Sequence, residues 1–432
     1  MLIKFRVENY KSFDKEQSLS MVSGSTRDHA DHVYDMKDQG ILRTAVIFGS
    51  NGSGKTNLVK AMIASRGLIF GYPIPKNDYC RIDPENSKRA TAFEYTVELN
   101  GTQYAYGFEV LLSSGEILTE WLYNLSNKGR HSKIFFRTKD AIETELDLQD
   151  EDSKYFEVYS MEARSAGWIP FITVMSKAPE REGSKLSAIN RLMRWFTNSL
   201  RIVAAGTSLN YNINSNLSDF TGNTLPHYGT GISGIRYEDV KDRSNMIPPD
   251  LLEQMMRDIG NRSEPIGTIR SPSGIFTLTV GKSGEPILKK MMFDHNGTSF
   301  EYTEESDGTK RLVELLPLLN GNDLKDLTYV VDEIDRSLHP QMTQKFIRDF
   351  ESLPKDLRRQ LIVTTHESRL MDLDIVRRDE IWFVEKDTAG TSKIYSLEAF
   401  GERKDRRIDK AYLDGRYGAI PCFRSTFPDL EL

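Results

Sequence analysis

The chain has 432 residues, of which 38% are hydrophobic, and its formal net charge is −6. This length allows two or three domains with a sizeable core, and the charge argues against a general coat of basic residues for nucleic acid. No apolar run approaches the roughly 20 residues that span a bilayer, and the alternating start does not resemble a signal peptide, so we expect a cytoplasmic protein without a membrane contact. The two cysteines, Cys80 and Cys422, are far apart and indicate neither a disulfide framework nor a zinc ribbon.

The first part of the chain is dominated by strand patterns. Ile3, Phe5 and Val7 alternate with polar residues, which is the period of a half-buried strand. Residues 45–48 predict an apolar strand that runs into a glycine-rich turn and an amphipathic helix. Between about residues 92 and 137, strand patterns flank Asn100 and Gly101, a strong type I′ hairpin signal, so we expect an antiparallel subsheet.

Helical patterns replace strand patterns between about residues 180 and 260. The stretches at 186–203 and 248–260 predict helices, and the Asn/Ser/Gly/Thr-rich stretch at 207–224 predicts a loop between them. Strands near 275–280 and 287–293 and then an alternation of helix and strand follow, which is typical of an α/β protein with a mixed or parallel sheet. The predicted domains are residues 1–179, a helical insertion at 180–265, and residues 266–432.

The glycine-rich turn fits the P-loop pattern G-x-x-x-x-G-K-[ST], with a strand before it and a helix after it. Backbone N–H groups of such a turn bind phosphates, Lys55 would reach the β and γ phosphates, and the Thr56 hydroxyl would join the shell of Mg²⁺. The expected ligands are therefore ATP and Mg²⁺. The residues of the pattern are Gly49, Ser50, Asn51, Gly52, Ser53, Gly54, Lys55 and Thr56.

Two later apolar strands end in polar residues. The strand at 327–331 is followed by Asp332, expected to bind Mg²⁺ directly or through water, and by Glu333, expected to orient or deprotonate the attacking water. Alone, this acidic pair is equally compatible with helix capping, but together with a P-loop it indicates ATP hydrolysis. A further strand ends at His366, which we expect to donate a hydrogen bond to the γ phosphate.

A helix start with an unusual composition precedes the acidic pair in the sequence. In "SDGTKRL", Ser306 is a candidate N-cap, and Gly308 removes side-chain bulk where a ligand could approach the free N–H groups. The alternative is a capped helix without a ligand.

These motifs, in this order, resemble those of ABC-type ATPase heads. The resemblance implies a P-loop NTPase fold with a mixed sheet flanked by helices, an antiparallel β-subdomain and an inserted helical subdomain. "FRVENYKSF", "ESDGTKRL", "DEIDRSLHP" and "TTHE" are similar to the SMC, RecF and OLD branch. "RRDEIWFVEKD" and "RKDRRIDKAYLDGRYGAIP" are similar to stand-alone AAA family ATPases of bacterial anti-phage and abortive-infection systems, of the PARIS ATPase subunit and RloA types. The helical insertion is not covered by the resemblance.

The resemblance assigns further residues. The nucleotide-binding set becomes Lys11, Ser12, Ser50, Asn51, Gly52, Ser53, Gly54, Lys55, Thr56 and Asn57. The residues that face the nucleotide of a second subunit are Ser306, Asp307, Gly308, Thr309 and Lys310, with Asp335 in a loop at the same interface. The implied assembly is a homo-oligomer, a dimer or a multiple of dimers, that controls a separately encoded effector, a nuclease, in response to a phage trigger protein. The glutamine that couples the two lobes in this superfamily is not identifiable.

Two other functions stay open: a RecF/SMC-like DNA-binding ATPase in repair, and a nucleotide-gated scaffold with little turnover.

His29 and His32 near two aspartates favour a polar loop over a metal site, because no third ligand has a recognisable spacing. The basic run "RKDRRIDK" favours an exposed helix face or a subunit contact over nucleic-acid binding. "DLD" at 372–374 resembles the acidic motif of Toprim nucleases, but too few residues follow for a nuclease domain.

Overall fold

The computed structural model describes residues 1–36, 39–125, 131–207, 215–240, 257, 266–271, 273–281, 283, 285–321, 325–401 and 407–421. The described helices are α1 (Lys55–Ile69), α2 (Asp150–Ala166), α3 (Phe171–Met175), α4 (Ser187–Arg194), α5 (Ser215–Thr224), α6 (Asp307–Leu315), α7 (Pro340–Glu351) and α8 (Ile408–Leu413). None of these helices is long and apolar enough to cross a membrane.

The described residues also form strands, which alternate with these helices. The strands before α5 are β1 (Leu2–Glu8), β2 (Gln17–Ser20), β3 (Val33–Asp35), β4 (Gly40–Leu42), β5 (Thr44–Phe48), β6 (Thr91–Leu99), β7 (Thr102–Leu111), β8 (Glu116–Leu125), β9 (His131–Arg137), β10 (Ile142–Glu143) and β11 (Leu200–Val203). The later strands are β12 (Gly234–Asp239), β13 (Ile266–Ser271), β14 (Gly274–Val280), β15 (Pro286–His295), β16 (Thr298–Glu301), β17 (Thr328–Val331), β18 (Gln360–Thr364), β19 (Ile381–Lys386) and β20 (Ser392–Ser396).

The chain divides into two compact units. The first comprises Met1–Thr207, Leu324–Ile334 and Pro354–Leu432, and the second comprises Ser208–Asp323 and Asp335–Leu353. The units do not follow the boundaries expected from the sequence at residues 179 and 265, because residues 200–203 pair with β17 and so belong to the first unit.

The first unit contains two large sheets. A six-stranded sheet has the order β11-β17-β18-β5-β19-β20, with all neighbours parallel except β19 and β20. All five residues of β5 are buried, as expected for a strand of a parallel sheet that is covered on both faces. A seven-stranded sheet, β10-β9-β8-β7-β6-β1-β2, has only antiparallel neighbours. The predicted α/β class and the antiparallel subsheet are therefore confirmed.

The predicted hairpin joins β6 to β7. Leu99 pairs with Thr102, so only two residues form the turn. These residues, Asn100 and Gly101, have φ angles of 53° and 80°. A type I′ turn requires positive φ at both positions, which is why the Asn-Gly pair predicts it.

The helix predicted at 186–203 is correct only in its first part. α4 ends at Arg194, a π-helical turn spans Trp195–Ser199, and the last four residues form β11. Ile202 and Val203 are β-branched and suit a strand, and β11 pairs in parallel with β17. The predicted loop at 207–224 also contains α5, whereas the predicted helix at 248–260 lies outside the described residues except for Arg257.

The second unit is built on another antiparallel sheet. Its order is β12-β15-β14-β13, and β16 also pairs with β15. The unit also contains α5, α6 and α7. The expected insertion is therefore not purely helical among its described residues, because β12 lies within residues 180–265 and pairs with β15.

Candidate active site

The carboxyl ends of three neighbouring strands lie at the same edge of the six-stranded sheet. Val331 of β17 pairs with Val363 of β18, and Thr364 of β18 pairs with Ile47 of β5. The residues that follow these strands are the acidic pair, the Thr365-His366 pair and the glycine-rich turn, respectively. In open sheets with parallel strands this edge is where ligands bind. The register thus brings together three motifs that are far apart in the sequence.

Lys55 is a buried lysine at this edge of the six-stranded sheet. Its side chain starts at the first turn of α1, and the residue is only 5% exposed. Nζ donates hydrogen bonds to the carbonyl oxygens of Gly49 at 2.6 Å and Ser50 at 3.2 Å, and it lies 3.5 Å from Nδ1 of His366. The structure therefore places the predicted lysine and histidine in contact. An ammonium group held by carbonyl oxygens can exchange them for phosphate oxygens.

Two glycines of the turn are required by close contacts. A Cβ atom on Gly49 would lie 2.3 Å from the carbonyl oxygen of Val384. A Cβ atom on Gly54 would lie 2.4 Å from Oγ of Ser392, and Gly54 has a left-handed φ of 116°. Because Gly54 is the N-cap residue of α1, the turn leads directly into the positive end of a helix, where anions bind.

The outer part of the turn is open to solvent. Asn51 and Gly52 are exposed, and Ser50 and Thr56 are partly exposed. The hydroxyl of Thr56 and the carboxylate of Asp332 are hard oxygen donors of the type that Mg²⁺ prefers. Thr56 is in the first turn of α1, which follows β5, and Asp332 follows β17, so both residues lie at the same edge of the sheet. The residues present therefore fit a magnesium ion bound with phosphates.

Thr364 connects the two acidic residues. Its Oγ1 donates a hydrogen bond of 2.5 Å to Oδ1 of Asp332, which is fully buried, and accepts one of 2.8 Å from the N–H of Glu333. Glu333 has a φ of 50°, a left-handed conformation that costs a residue with a side chain about 1 kcal/mol or more. No sequence motif assigned this role to Thr364. Its only signal was a hydroxyl residue at the end of the strand that precedes His366.

Ser12 belongs to a network of hydroxyl groups behind the glycine-rich turn. Nδ2 of Asn57 donates to Oγ of Ser12 at 2.8 Å. Oγ of Ser392, in β20, donates to the carbonyl oxygen of Ser53 at 2.5 Å and lies 2.8 Å from Oγ of Ser12, from which it accepts a hydrogen bond. The network ties the turn to β20. Nothing in the sequence distinguished Ser392 from other serines.

Lys11 has a different environment from Ser12. Its Nζ forms an ion pair with Oδ1 of Asp78 at 2.8 Å, and its N–H donates to the carbonyl oxygen of the same residue at 2.7 Å. Contact between Lys11 and a nucleotide stays a prediction that would require this ion pair to open.

In the second unit, Ser306 caps α6. Its Oγ accepts a hydrogen bond of 3.1 Å from the N–H of Thr309 and lies 2.9 Å from Oγ1 of the same residue. Ser306 and Asp307 are exposed. Lys310 donates from Nζ to the carbonyl oxygen of Thr303 at 3.2 Å. This half of the predicted site is a capped helix start whose first residues face solvent within their own unit.

Packing within the second unit explains the glycine of this helix. A Cβ atom on Gly308 would lie 2.8 Å from the carbonyl oxygen of Ser337. Asp335 lies in the same loop as Ser337, and its carbonyl oxygen accepts a hydrogen bond of 3.0 Å from the N–H of Leu338. Nucleotide contacts of Ser306, Gly308 and Asp335 stay predictions.

His29 and His32, which the sequence placed in a polar loop, each have a specific hydrogen-bond partner. Nδ1 of His32, which is buried, lies 3.1 Å from both carboxylate oxygens of Glu380, and Nε2 of His29 lies 2.7 Å from the carbonyl oxygen of Leu373. Burial raises the pKa of Glu380 well above its usual range. Asp31 supplies a third ligand-type atom within 4.8 Å of both imidazoles.

The other secondary candidates show local interactions. In the "DLD" stretch, the carboxylate of Asp372 accepts a hydrogen bond from the N–H of Asp374. The first half of the basic run, residues 403–406, lies outside the described residues, and Arg407 in its second half pairs with Asp409 at 2.7 Å.

One protein family matches more than half of the chain. Its model, described as "AAA domain, putative AbiEii toxin, Type IV TA system", matches residues 45–162 and 207–372. No curated protein matches the chain.

Three solved SMC head domains resemble the chain weakly. One, bound to the C-winged helix domain of ScpA, is 14% identical with a TM-score of 0.41, covering 93% of this chain and 99% of that one. One from Thermotoga maritima is 13% identical with a TM-score of 0.36, covering 91% and 98%. One derived from Pyrococcus furiosus, with an extended coiled coil and bound to the C-terminal domain of ScpA, is 14% identical with a TM-score of 0.41, covering 96% and 99%.

Proposed function

The chain belongs to this AAA-domain family, and from that premise we propose that it binds ATP with Mg²⁺ and hydrolyses it to ADP and phosphate. The observation that carries the proposal is the convergence of Lys55, His366 and the Asp332-Glu333 pair at one edge of the parallel sheet. A lysine in a phosphate-binding turn, two carboxylates and a hydrogen-bonding imidazole are the groups that phosphoryl transfer to water requires.

The proposed chemistry divides among these residues. The N–H groups of the turn and Nζ of Lys55 bind the β and γ phosphates. Thr56 and Asp332 would hold Mg²⁺, which neutralises phosphate charge when it is bound. Glu333 accepts the proton of the attacking water, and Thr364 holds its backbone beside Asp332.

The contact between Lys55 and His366 also selects a tautomer. Because Nζ of Lys55 can only donate, Nδ1 of His366 accepts, and the proton of the neutral imidazole is then on Nε2. Nε2 is thereby left as a donor for a γ phosphate oxygen. Such a donor is worth most if it binds the charge that develops during phosphoryl transfer.

The test of this activity is the replacement of Glu333 by glutamine. We expect ATP to stay bound while hydrolysis falls by about 100-fold or more, because the amide cannot accept the proton of water. Equilibrium nucleotide binding and phosphate release measure the two effects. Glu367→Gln is the matched control, because Glu367 directly follows His366 and, within the described part of the chain, its carboxylate accepts only from the N–H of Arg369. Unchanged hydrolysis in Glu333→Gln would remove Glu333 from this role.

We further propose that each active site is completed by a second copy of the chain. The support is the resemblance of "ESDGTKRL" to signature motifs and the exposure of Ser306 and Asp307 at the start of a nine-residue helix. In this arrangement Ser306, Asp307, Gly308, Thr309 and Lys310 face the γ phosphate of the partner, with Asp335 beside them. Two copies then share two ATP molecules, and hydrolysis removes the phosphates that bridge them.

Complementation tests this arrangement directly. Lys55→Ala removes the phosphate lysine of one copy, and Ser306→Arg obstructs the helix start of the other, so each variant alone should be inactive. In an equimolar mixture half of the dimers are mixed, and each mixed dimer has one intact site, so about a quarter of the wild-type activity should return. A site completed within one chain predicts no recovery. Analytical ultracentrifugation with and without ATP checks that mixed dimers can form.

The proposed biological role is ATP-dependent control of a separately encoded effector, a nuclease, in anti-phage defence. Two facts support it: the resemblance to ATPase subunits of such systems, and the toxin system named in the family description. Co-purification with the product of the neighbouring gene, followed by a mass measurement of the complex, tests this role. ATP turnover that rises with DNA, in the absence of a co-purifying protein, would favour the RecF-like alternative instead.

A further inference from the structure

A cluster of three residues with metal-binding side chains lies just before β3 in the first unit. His29, Asp31 and His32 each offer one ligand atom, and these three atoms lie within 4.8 Å of one another. The two imidazole rings are neighbours, with centroids 4.8 Å apart and planes inclined by 32°. The 3₁₀ turn Ala30–His32 thus brings an aspartate close to both histidines, although the spacing in the sequence indicated no third ligand.

Both histidines have the kind of hydrogen-bond partner that orients a metal-binding imidazole. Nε2 of His29 lies 2.7 Å from the carbonyl oxygen of Leu373, and Nδ1 of His32 lies 3.1 Å from both carboxylate oxygens of Glu380. A histidine that binds a metal through one ring nitrogen usually donates the N–H of the other to a carbonyl or carboxylate oxygen. A metal would therefore bind Nδ1 of His29 and Nε2 of His32, and each ring is oriented by its own partner.

The three candidate ligands differ in burial, and the carboxylate is accessible. His32 is only 4% exposed, His29 is partly exposed and Asp31 is exposed. Among the residues that the structure describes, none forms a hydrogen bond or an ion pair with the carboxylate of Asp31. One ligand is therefore held in the core, while the carboxylate can rotate towards an ion that enters from solvent.

The cations near this turn are held by other groups. Nη1 of Arg43 donates to the backbone carbonyl oxygen of Asp31 at 3.4 Å, and Nζ of Lys355 donates to two other backbone carbonyl oxygens of the segment, both at 3.0 Å. Nη2 of Arg377 forms an ion pair of 2.7 Å with Asp379. Metal binding by the three side chains requires none of these contacts to break.

We propose that His29, Asp31 and His32 bind one divalent metal ion of the zinc class, with water as the fourth ligand. Two imidazole nitrogens and one carboxylate oxygen form a ligand set typical of zinc, whereas Mg²⁺ prefers oxygen ligands alone. Zinc bonds to these atoms are about 2.0–2.2 Å long, so the ligand atoms would be about 3.3 Å apart and would have to approach one another by about 1.5 Å at most. The site does not depend on the proposed ATP hydrolysis.

A metal ion at this turn would connect two segments of the first unit. The three ligands precede β3, whereas Leu373 and Glu380, which orient the histidines, belong to the connection between β18 and β19. His366 lies near the start of that connection. An ion that binds the folded chain and not the unfolded chain raises the unfolding temperature, so the effect is measurable without ATP turnover.

Titration of zinc into the metal-free full chain tests the proposal. The chain is first freed of metals with a chelator, and the titration is done without nucleotide in excess Mg²⁺, which competes for sites made of oxygen ligands. We expect one zinc ion per chain by calorimetry, a higher unfolding temperature, and visible absorption bands of four-coordinate Co²⁺ when cobalt replaces zinc. His29→Asn and Asp31→Asn should each weaken zinc binding at least about 10-fold, because each removes a ligand. Asparagine suits position 29, where φ is 48°.

The controls separate this site from other histidines and carboxylates. Asp35→Asn removes an exposed aspartate of β3 outside the cluster, and His227→Gln removes an exposed histidine of the second unit. Both should bind zinc as the wild type does. Absence of zinc binding, wild-type affinity in both His29→Asn and Asp31→Asn, or an equal loss in Asp35→Asn would each overturn the proposal. So would loss of binding in His366→Gln with retention in His29→Asn, because zinc would then occupy the candidate active site. Circular dichroism confirms that each variant is folded.

Discussion

Replacement of Thr364 by valine removes one hydroxyl that serves both acidic residues. Its bond to Oδ1 of Asp332 is 2.5 Å long, and its bond from the N–H of Glu333 is 2.8 Å long. A hydrogen bond to a charged group contributes about 1.5–3 kcal/mol, and a partly buried N–H without its acceptor costs about 1 kcal/mol more. We therefore expect the free energy of unfolding to fall by about 2.5–4 kcal/mol, with little cavity formation because valine has a similar volume.

Thr364→Val should lower the rate of ATP hydrolysis much more than the affinity for ATP. Asp332 and Glu333 lose the group that holds them together, so we expect phosphate release to fall about 10- to 100-fold. The glycine-rich turn is unchanged, so nucleotide affinity should stay within about threefold. Thr364→Ser keeps the hydroxyl and should retain most of the activity. Wild-type turnover in Thr364→Val, or an equal loss in Thr364→Ser, would refute the role of this hydroxyl.

Further predictions concern the turn, a buried carboxyl group and the capped helix. Gly54→Ala should weaken ATP binding by more than about tenfold in a titration, because its Cβ would lie 2.4 Å from another side chain, whereas Gly52→Ala has open space and should lose only a few-fold. Burial raises the pKa of Glu380 well above 4.5, so the folded state retains a proton that the unfolded state loses, and stability falls as pH rises from about 4.5 towards that pKa. Urea unfolding at pH 5 and pH 7.5 should therefore show Glu380→Gln gaining stability relative to the wild type at the higher pH. Gly308→Ala should lower the unfolding temperature even without nucleotide, since the strain against a backbone carbonyl lies within its own unit.

Several elements of the fold could be predicted from the sequence because their signals lie in a few neighbouring residues. Asn100 and Gly101 predicted the hairpin because a type I′ turn depends only on their own backbone conformation. The turn from Gly49 to Thr56 was predictable for the same reason, since its glycines and lysine serve a local geometry. The β11 strand was missed because its four residues follow a helix directly, and only pairing with β17 makes them a strand.

The candidate site shows a similar division. Lys55, Asp332 and His366 were predicted from motifs, and the alignment of β17, β18 and β5 explains why they lie at the same sheet edge. Thr364 and Ser392 were not found, because their importance lies in hydrogen bonds to residues that are distant in sequence. The contact between Gly308 and Ser337 was likewise invisible, and it supplies a packing reason for a glycine that the sequence attributed to a ligand.

Because the backbone of Glu333 is left-handed, the stability of the folded state and ATP turnover favour different residues at this position. Glycine or asparagine adopts this conformation at a cost lower by about 1 kcal/mol. A variant library screened only for heat resistance should therefore enrich Glu333→Gly and Glu333→Asn, whereas a library screened for ATP turnover should keep the carboxylate. Engineering a more robust form of the protein would then have to begin elsewhere in the chain.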